Sequence, residues 1–132
     1  MLFSEQLVTL LPDKKTYLSI NNSIMQKLQR ISAREAYAAY MRGHLLVDVR
    51  DADAIATKTV DVDHLVVLPY SELDQRFSEL PTDRPIVLVS RVGNRSNSAA
   101  HFLIDHGYSD VAILEGGITE WENEGLPVRH SA

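Results

Sequence analysis

From about position 31 onward, the apolar residues of this 132-residue chain follow two spacings in alternation. Unbroken apolar runs occur in HLLVDVR (44–50), HLVVLP (64–69), IVLVS (86–90) and VAIL (111–114), and they read as buried strands. The first is expected to end near Val49 and the second to stop at Pro69. Between these runs lie segments with helical spacing. Ser32 followed by Glu35 is a capping-box pattern, opening a helix that Gly43 can close. Ser71 can cap a helix through Leu80, and Asn94 to His106 reads as a helix closed by Gly107. A last helix around Ile118 to Asn123 carries Trp121, the only tryptophan. TDRP (82–85) reads as a loop, and Asp51 to Asp63 as polar and irregular.

The first thirty residues are patterned differently. Phe3, Leu7, Leu10 and Leu11 stand at helical spacing until Pro12 and Asp13 end the run. A second short helix is expected to carry Ile24, Leu28 and Ile31 on one face. The predicted organisation is a helical extension over 1–30, one α/β domain over 31–128 and a tail over 129–132. Strands alternating with helices imply a central parallel sheet flanked by helices on both faces. Ligands of such sheets bind beyond the carboxyl ends of the strands, and Ser90 stands at one of these ends.

Composition narrows the function classes. Apolar content of 45% and charged content of 23% are those of an ordinary globular protein. A formal net charge of −5 argues against a broad nucleic-acid or acidic-membrane surface and leaves room for a local basic pocket. The chain has no cysteine, which excludes disulfides, thiolate metal sites and thiol chemistry. No apolar stretch approaches the ~20 residues needed to cross a bilayer. The N-terminal apolar run is interrupted by Glu5 with no basic residue before it, against a signal peptide, so a cytoplasmic location is the default reading.

SRVGNRS (90–96) carries the candidate chemistry. Gly93 lets the chain turn without a side-chain clash, and the first amides of the following helix are free to meet a ligand. With Arg91 and Arg95 beside that helix dipole, Arg91, Val92, Gly93, Asn94, Arg95 and Ser96 form a candidate anion-binding loop. The alternative is a surface loop in which Ser96 caps the helix and the arginines pair with neighbouring acids.

The same residues resemble the rhodanese-like domain family. Its pattern Cys-Arg-x-Gly-x-Arg-Ser appears as Ser90, Arg91, Val92, Gly93, Asn94, Arg95 and Ser96. Gly107-Tyr108, LEGGITEW with Gly116, Gly117 and Trp121, and the closing EGLPV (124–128) follow in the family's order. Upstream, ISAREA and LLVDVRDADA, with Asp48 and Arg50, resemble its opening helix and first core strand. The resemblance spans Ile31 to Val128 and implies the rhodanese-like α/β fold. It also implies a small anion such as thiosulfate, sulfate or a persulfide donor as ligand, with no metal and no cofactor. Ser90 to Arg95 encloses four residues, as in rhodaneses, whereas related dual-specificity phosphatases place five there.

Two departures bear on mechanism. Sulfur transfer in the family passes through a persulfide on the loop cysteine, and this chain has Ser90 at that position. A thiol near pKa 8.5 is readily ionised beside cations, whereas a hydroxyl needs a neighbouring base and cannot form the sulfur–sulfur intermediate. In addition, TVDVDHLVVLP (59–69) lacks the family's Gly-His pair. Two readings follow: a non-catalytic binding or regulatory module, or a sulfurtransferase whose catalytic cysteine is replaced by Ser90. A third treats the fold purely as an interaction scaffold. A serine hydrolase is disfavoured because VSRVG does not match the G-x-S-x-G elbow. His101 and His106 also lie roughly two and four turns along the next helix, out of reach of Ser90.

Other candidates have simpler explanations. Asp61, Asp63 and His64 read as a hydrated surface loop rather than a metal site, and His101 and His106 are five apart and do not share a helix face. Trp121 is expected to anchor the last helix, and Asp48 with Arg50 to fix a strand end. The N-terminal extension either contacts a second copy or a protein partner through its Leu-rich face, or covers the sheet. No nucleic-acid or membrane partner is expected.

Overall fold

The computed structural model describes residues 28–92 and 94–131, and Lys15 in the N-terminal segment. The helix expected over Leu2 to Leu11, the position of Ile24 and the proposed extension contacts lie outside the described residues. Strand β1 is Gln29–Ile31, followed by helix α1 (Ala33–Met41) and β2 (Leu45–Asp48). Helix α2 (Ala52–Thr57), β3 (Lys58–Val60) and β4 (Leu65–Val67) come next. A 3-10 turn over Tyr70–Glu72, α3 (Leu73–Arg76) and a second 3-10 turn over Phe77–Glu79 lead to β5 (Ile86–Val89). The chain ends with α4 (Asn94–Asp105), β6 (Val111–Leu114), α5 (Gly117–Asn123) and β7 (Val128–His130).

Five strands form one parallel sheet in the order β1-β6-β5-β2-β4, so the expected parallel α/β architecture is present. Every residue of β2, β5 and β6 is buried, which is why these strands read as unbroken apolar runs. Alternate residues feed two cores. Leu45, Val47, Ile86, Leu88, Val111 and Ile113 pack towards Ala99, Ala100 and Leu103 of α4. Leu46, Val87, Val89, Ala112 and Leu114 pack towards the alanines of α1 and towards Ile118 and Trp121 of α5.

Local signals explain the element ends. Ser32 Oγ accepts from the Glu35 amide at 3.1 Å while Glu35 Oε1 accepts from the Ser32 amide at 3.1 Å, the reciprocal capping box. These hydrogen bonds from Ser32 hold the Glu35 carboxyl below its usual range. At the other end of α1, the Gly43 amide bonds the Tyr40 carbonyl and the His44 amide the Ala39 carbonyl, with Gly43 at φ +100°. This is a Schellman closure, which favours glycine. Tyr108 of the Gly-Tyr pair is buried, and its hydroxyl lies 2.7 Å from the carbonyls of both Phe77 and Leu80, tying the turn after α4 to the segment before β5. Burial raises its pKa.

Three expectations need correction. Leu28 and Ile31 are not on a helix: Ile31 belongs to β1, where it pairs with Leu114, because the sheet offers it a ladder that a lone helical turn lacks. Gln29 and Arg30, assigned to the extension, lie in that same strand. Ser71 caps no helix; it lies inside the first 3-10 turn, and the helical path to Leu80 is broken into three short pieces. The segment 51–63 is not irregular. It holds α2 and β3, and β3 pairs antiparallel with β7, which includes residues assigned to the tail.

The end of β2 is fixed by a buried ion pair. Asp48 Oδ1 accepts from the Arg50 amide (2.9 Å) and Nε (3.1 Å), and Oδ2 accepts from Nη2 (2.8 Å). Nη2 also donates to the Lys58 carbonyl at 2.7 Å, joining β2 to β3. Asp48 is fully buried and Arg50 is 5% exposed. Removing one partner of such a pair leaves an uncompensated charge and costs about 3–5 kcal/mol. The variant Asp48→Asn is therefore expected to lose stability on that scale in urea denaturation, while a loss below ~1 kcal/mol would show that the pair is not what holds the strand end.

Candidate functional site

β5 ends at Val89, whose carbonyl accepts from the Val49 amide at 2.9 Å, and Ser90 follows at the carboxyl end of the sheet. Ser90 is buried, with 1% of its surface exposed. Arg91 and Val92 are exposed, and Gly93 lies outside the described residues. Asn94 is the first residue of α4, so the loop hands over directly to a helix of 12 residues, whose first amides have no partner within the helix. Ser96 is buried inside the first turn, and its Oγ has no hydrogen-bond partner among the described residues. It does not cap the helix from outside, as the surface-loop reading required.

The loop is held from the opposite side by the start of α5. The Ile118 amide donates to the Ser90 carbonyl at 2.8 Å, and the Thr119 amide (3.3 Å) and Oγ1 (3.1 Å) donate to the Arg91 carbonyl. Gly117, at φ +60°, makes this approach feasible. A Cβ there would stand 2.3 Å from the Ser90 carbonyl oxygen and 2.5 Å from the Arg91 carbonyl carbon, far inside contact distance. Gly117, the second of the Gly-Gly pair, thus belongs to the site as a backbone seat for the loop, whereas a Cβ on Gly116 would meet the Glu120 side chain of its own helix. Trp121 secures the helix that supplies it: fully buried, it donates from Nε1 to the Pro127 carbonyl at 2.8 Å and meets Tyr37 edge-on at 5.5 Å.

Ser90, Arg91, Val92 and Arg95 line a cleft of about 710 Å³. Its other wall comes from Arg50, Asp51, Thr57 and Lys58, and its floor from Ile118 and Thr119. The wall was not legible as site residues, because α2 and β3 are short and their sequence reads as polar loop. Ile118 and Thr119 carried a usable signal, since they directly follow the glycine pair. Arg95 Nη1 lies 2.6 Å from Asp51 Oδ1, so one loop arginine does pair with a neighbouring acid. Arg91 forms no ion pair among the described residues. Lys58 Nζ bonds Glu122 Oε1 at 2.7 Å, and that bond, with a smaller contribution from His130, holds the Glu122 carboxyl below its usual range.

The remaining candidates lie elsewhere. His101 is exposed, and the His106 ring stacks on Phe102 at 4.0 Å with Nδ1 2.7 Å from the Phe102 carbonyl. Neither lines the cleft. Asp61 pairs with Arg129 at 3.7 Å, and among the described residues no group of three metal-ligating side chains comes together. No helix of the described residues is long and apolar enough to cross a membrane.

Comparison with known proteins agrees with this geometry. The model of the rhodanese-like domain matches residues 32–124. The chain belongs to the rhodanese-like domain family. It is similar to a sulfurtransferase of Allochromatium vinosum, with 39% identity over 64% of this chain and 77% of that protein. Its similarity to the thiosulfate sulfurtransferase GlpE of Pseudomonas syringae is 35% over 74% of this chain and 90% of the relative. Among solved structures, a rhodanese-related protein of Thermoplasma volcanium superposes with a TM-score of 0.69 at 30% identity, covering 76% of this chain and 97% of the other.

In this rhodanese-like domain the glycine seat yields a direct prediction. Gly117→Ala is expected to destabilise the fold by more than the ~1 kcal/mol typical of alanine at positive φ, because the Ser90–Arg91 backbone must also move. Gly43→Ala, at φ +100° with open space around its Cβ, is the control and should cost only about that amount. Equal losses for the two in thermal unfolding would contradict the close approach.

Proposed function

We propose that this rhodanese-like domain is a binding or regulatory module in which the Ser90 loop takes up a small sulfur oxyanion and does not transfer its sulfur. The observation that carries the reading is a buried serine, rather than a cysteine, in the cleft that Arg91 and Arg95 also line, just ahead of a helix N-terminus. Amides at the start of α4 and the guanidinium groups of Arg91 and Arg95 favour negative charge at that point. Thiosulfate is the natural probe, since GlpE relatives carry it in their name.

The missing step follows from atom balance. A thiolate at position 90 would attack the outer sulfur of thiosulfate, form an S–S bond and release sulfite as the original S–S bond broke. Cyanide would then take that sulfur as thiocyanate and return the thiolate. A hydroxyl is a far weaker acid than a thiol. Its attack on sulfur would give an S–O bond, and no persulfide would form to pass on.

A second reading has its own support. The seat that Gly117, Ile118 and Thr119 build around the Ser90 and Arg91 carbonyls supports a reading in which a cysteine belongs at position 90. On this reading the protein is a sulfurtransferase with its nucleophile replaced. Thiosulfate:cyanide sulfurtransferase assays of the protein beside Ser90→Cys separate the outcomes. The protein itself is expected to show no turnover above the uncatalysed rate. Turnover in Ser90→Cys would mean a seat intact but for the thiol, favouring the second reading. Its absence from a folded variant would favour a pure binding module. Thiocyanate production by the Ser90 protein would overturn both.

A further inference from the structure

Asp51 holds a place where its carboxylate has two uses. It is the N-cap residue of α2, with extended backbone at φ −65° and ψ 152°, and aspartate at such a position ordinarily accepts from the first helix amides. Here it makes no such side-chain bond. Its Oδ1 is turned to Arg95 Nη1 instead, at 2.6 Å, across the mouth of the cleft that both residues line with Ser90. Both side chains are about half exposed, so neither is locked by packing: Arg95 is 50% and Asp51 57% accessible. A carboxylate held against a guanidinium offers it what a sulfur oxyanion would offer, two oxygens and a negative charge.

We infer that Asp51 is an internal competitor of the anion: a latch that occupies Arg95 while the cleft is unliganded and that an arriving oxyanion must displace. The inference rests on the anion-binding reading of the loop. Displacement costs little on the protein side, because the released carboxylate can turn back to cap α2 and satisfy an orphan amide there. Arg91, which has no ion pair among the described residues, provides the first point of encounter, and Arg95 joins once the latch lets go. The latch also sets a threshold. A weakly charged anion leaves Asp51 in place, and a dianion with spread-out oxygens competes well. Asp51 is thereby a specificity-determining residue that touches the ligand's partner and not the ligand.

The sign of one substitution decides the matter. Asp51→Asn keeps the size and the capping ability of the side chain and removes its charge. Calorimetric titration of the full chain with sodium thiosulfate, and separately with sodium sulfate, at low ionic strength should show binding about two- to fivefold tighter in Asp51→Asn. That gain should shrink as sodium chloride is added, since both side chains face solvent. Weaker or unchanged binding in Asp51→Asn, with the parent protein still binding, would overturn the latch and leave the anion-binding reading standing. Binding in the variant alone would be the latch at full strength. Binding in neither, with both folded by thermal melting, would overturn the latch together with the reading it rests on, because unlatching must expose the cradle if one exists. Arg95→Gln, alone and combined with Asp51→Asn, provides the internal check. The two should bind with equal affinity, since the latch has nothing to hold without Arg95, and a gain persisting in the double variant would also overturn the proposal.

Discussion

The amide of Ile118 reaches the carbonyl of Ser90 with only the bare Cα of Gly117 beside it, and the site is organised around that contact. A helix can touch a loop backbone this closely only where no Cβ stands between them, and the left-handed φ of Gly117 adds a second reason for glycine there. What the contact secures is direction. It holds the main chain leaving β5 at the carbonyls of Ser90 and Arg91, the two residues that carry the chain toward α4. Trp121, one turn further along α5, transmits the restraint to the core through Tyr37 and the Pro127 carbonyl. The two ends of the domain sequence, from α1 to the segment before β7, therefore meet behind the loop.

Charge in this molecule is distributed against its average. The chain carries −5 overall, yet Arg50, Lys58, Arg91 and Arg95 gather around one cleft with Asp51 as the acidic side chain of its lining. Each cation is handled differently. Arg50 is locked into the fold by Asp48 and the Lys58 carbonyl, Lys58 is engaged by Glu122, and Arg95 is paired at the surface. Arg91 has no ion pair among the described residues and stands just before α4, at the carboxyl end of the central strand, where parallel sheets offer room for ligands.

The fold was legible in the sequence wherever burial wrote itself into composition. β2, β5 and β6 are covered on both faces and so appear as apolar runs, and the caps of α1 are spelled out by Ser32, Glu35 and Gly43. β1, β3 and β7 were not legible, because three residues at a sheet edge or in a two-stranded ribbon need no particular side chains, and their pairing is set by backbone ladders to distant segments. The site divides in the same way. The loop from Ser90 to Ser96 was visible as a local pattern, but Asp51, Thr57 and Lys58 belong to the cleft only because α2 and β3 fold back across its mouth. No local pattern announces a partner forty-four positions away, as Asp51 is from Arg95.

A binding role for this cleft requires that an oxyanion seat at the Ser90 loop of the protein as it is, with its serine. Diffraction at the selenium absorption edge from crystals grown with selenate, which has the charge and shape of sulfate, locates that anion directly. An anomalous peak is expected within hydrogen-bonding distance of the first α4 amides and of a guanidinium from Arg91 or Arg95. Well-diffracting crystals with an empty loop, or with selenate bound only at other basic surfaces, would contradict it.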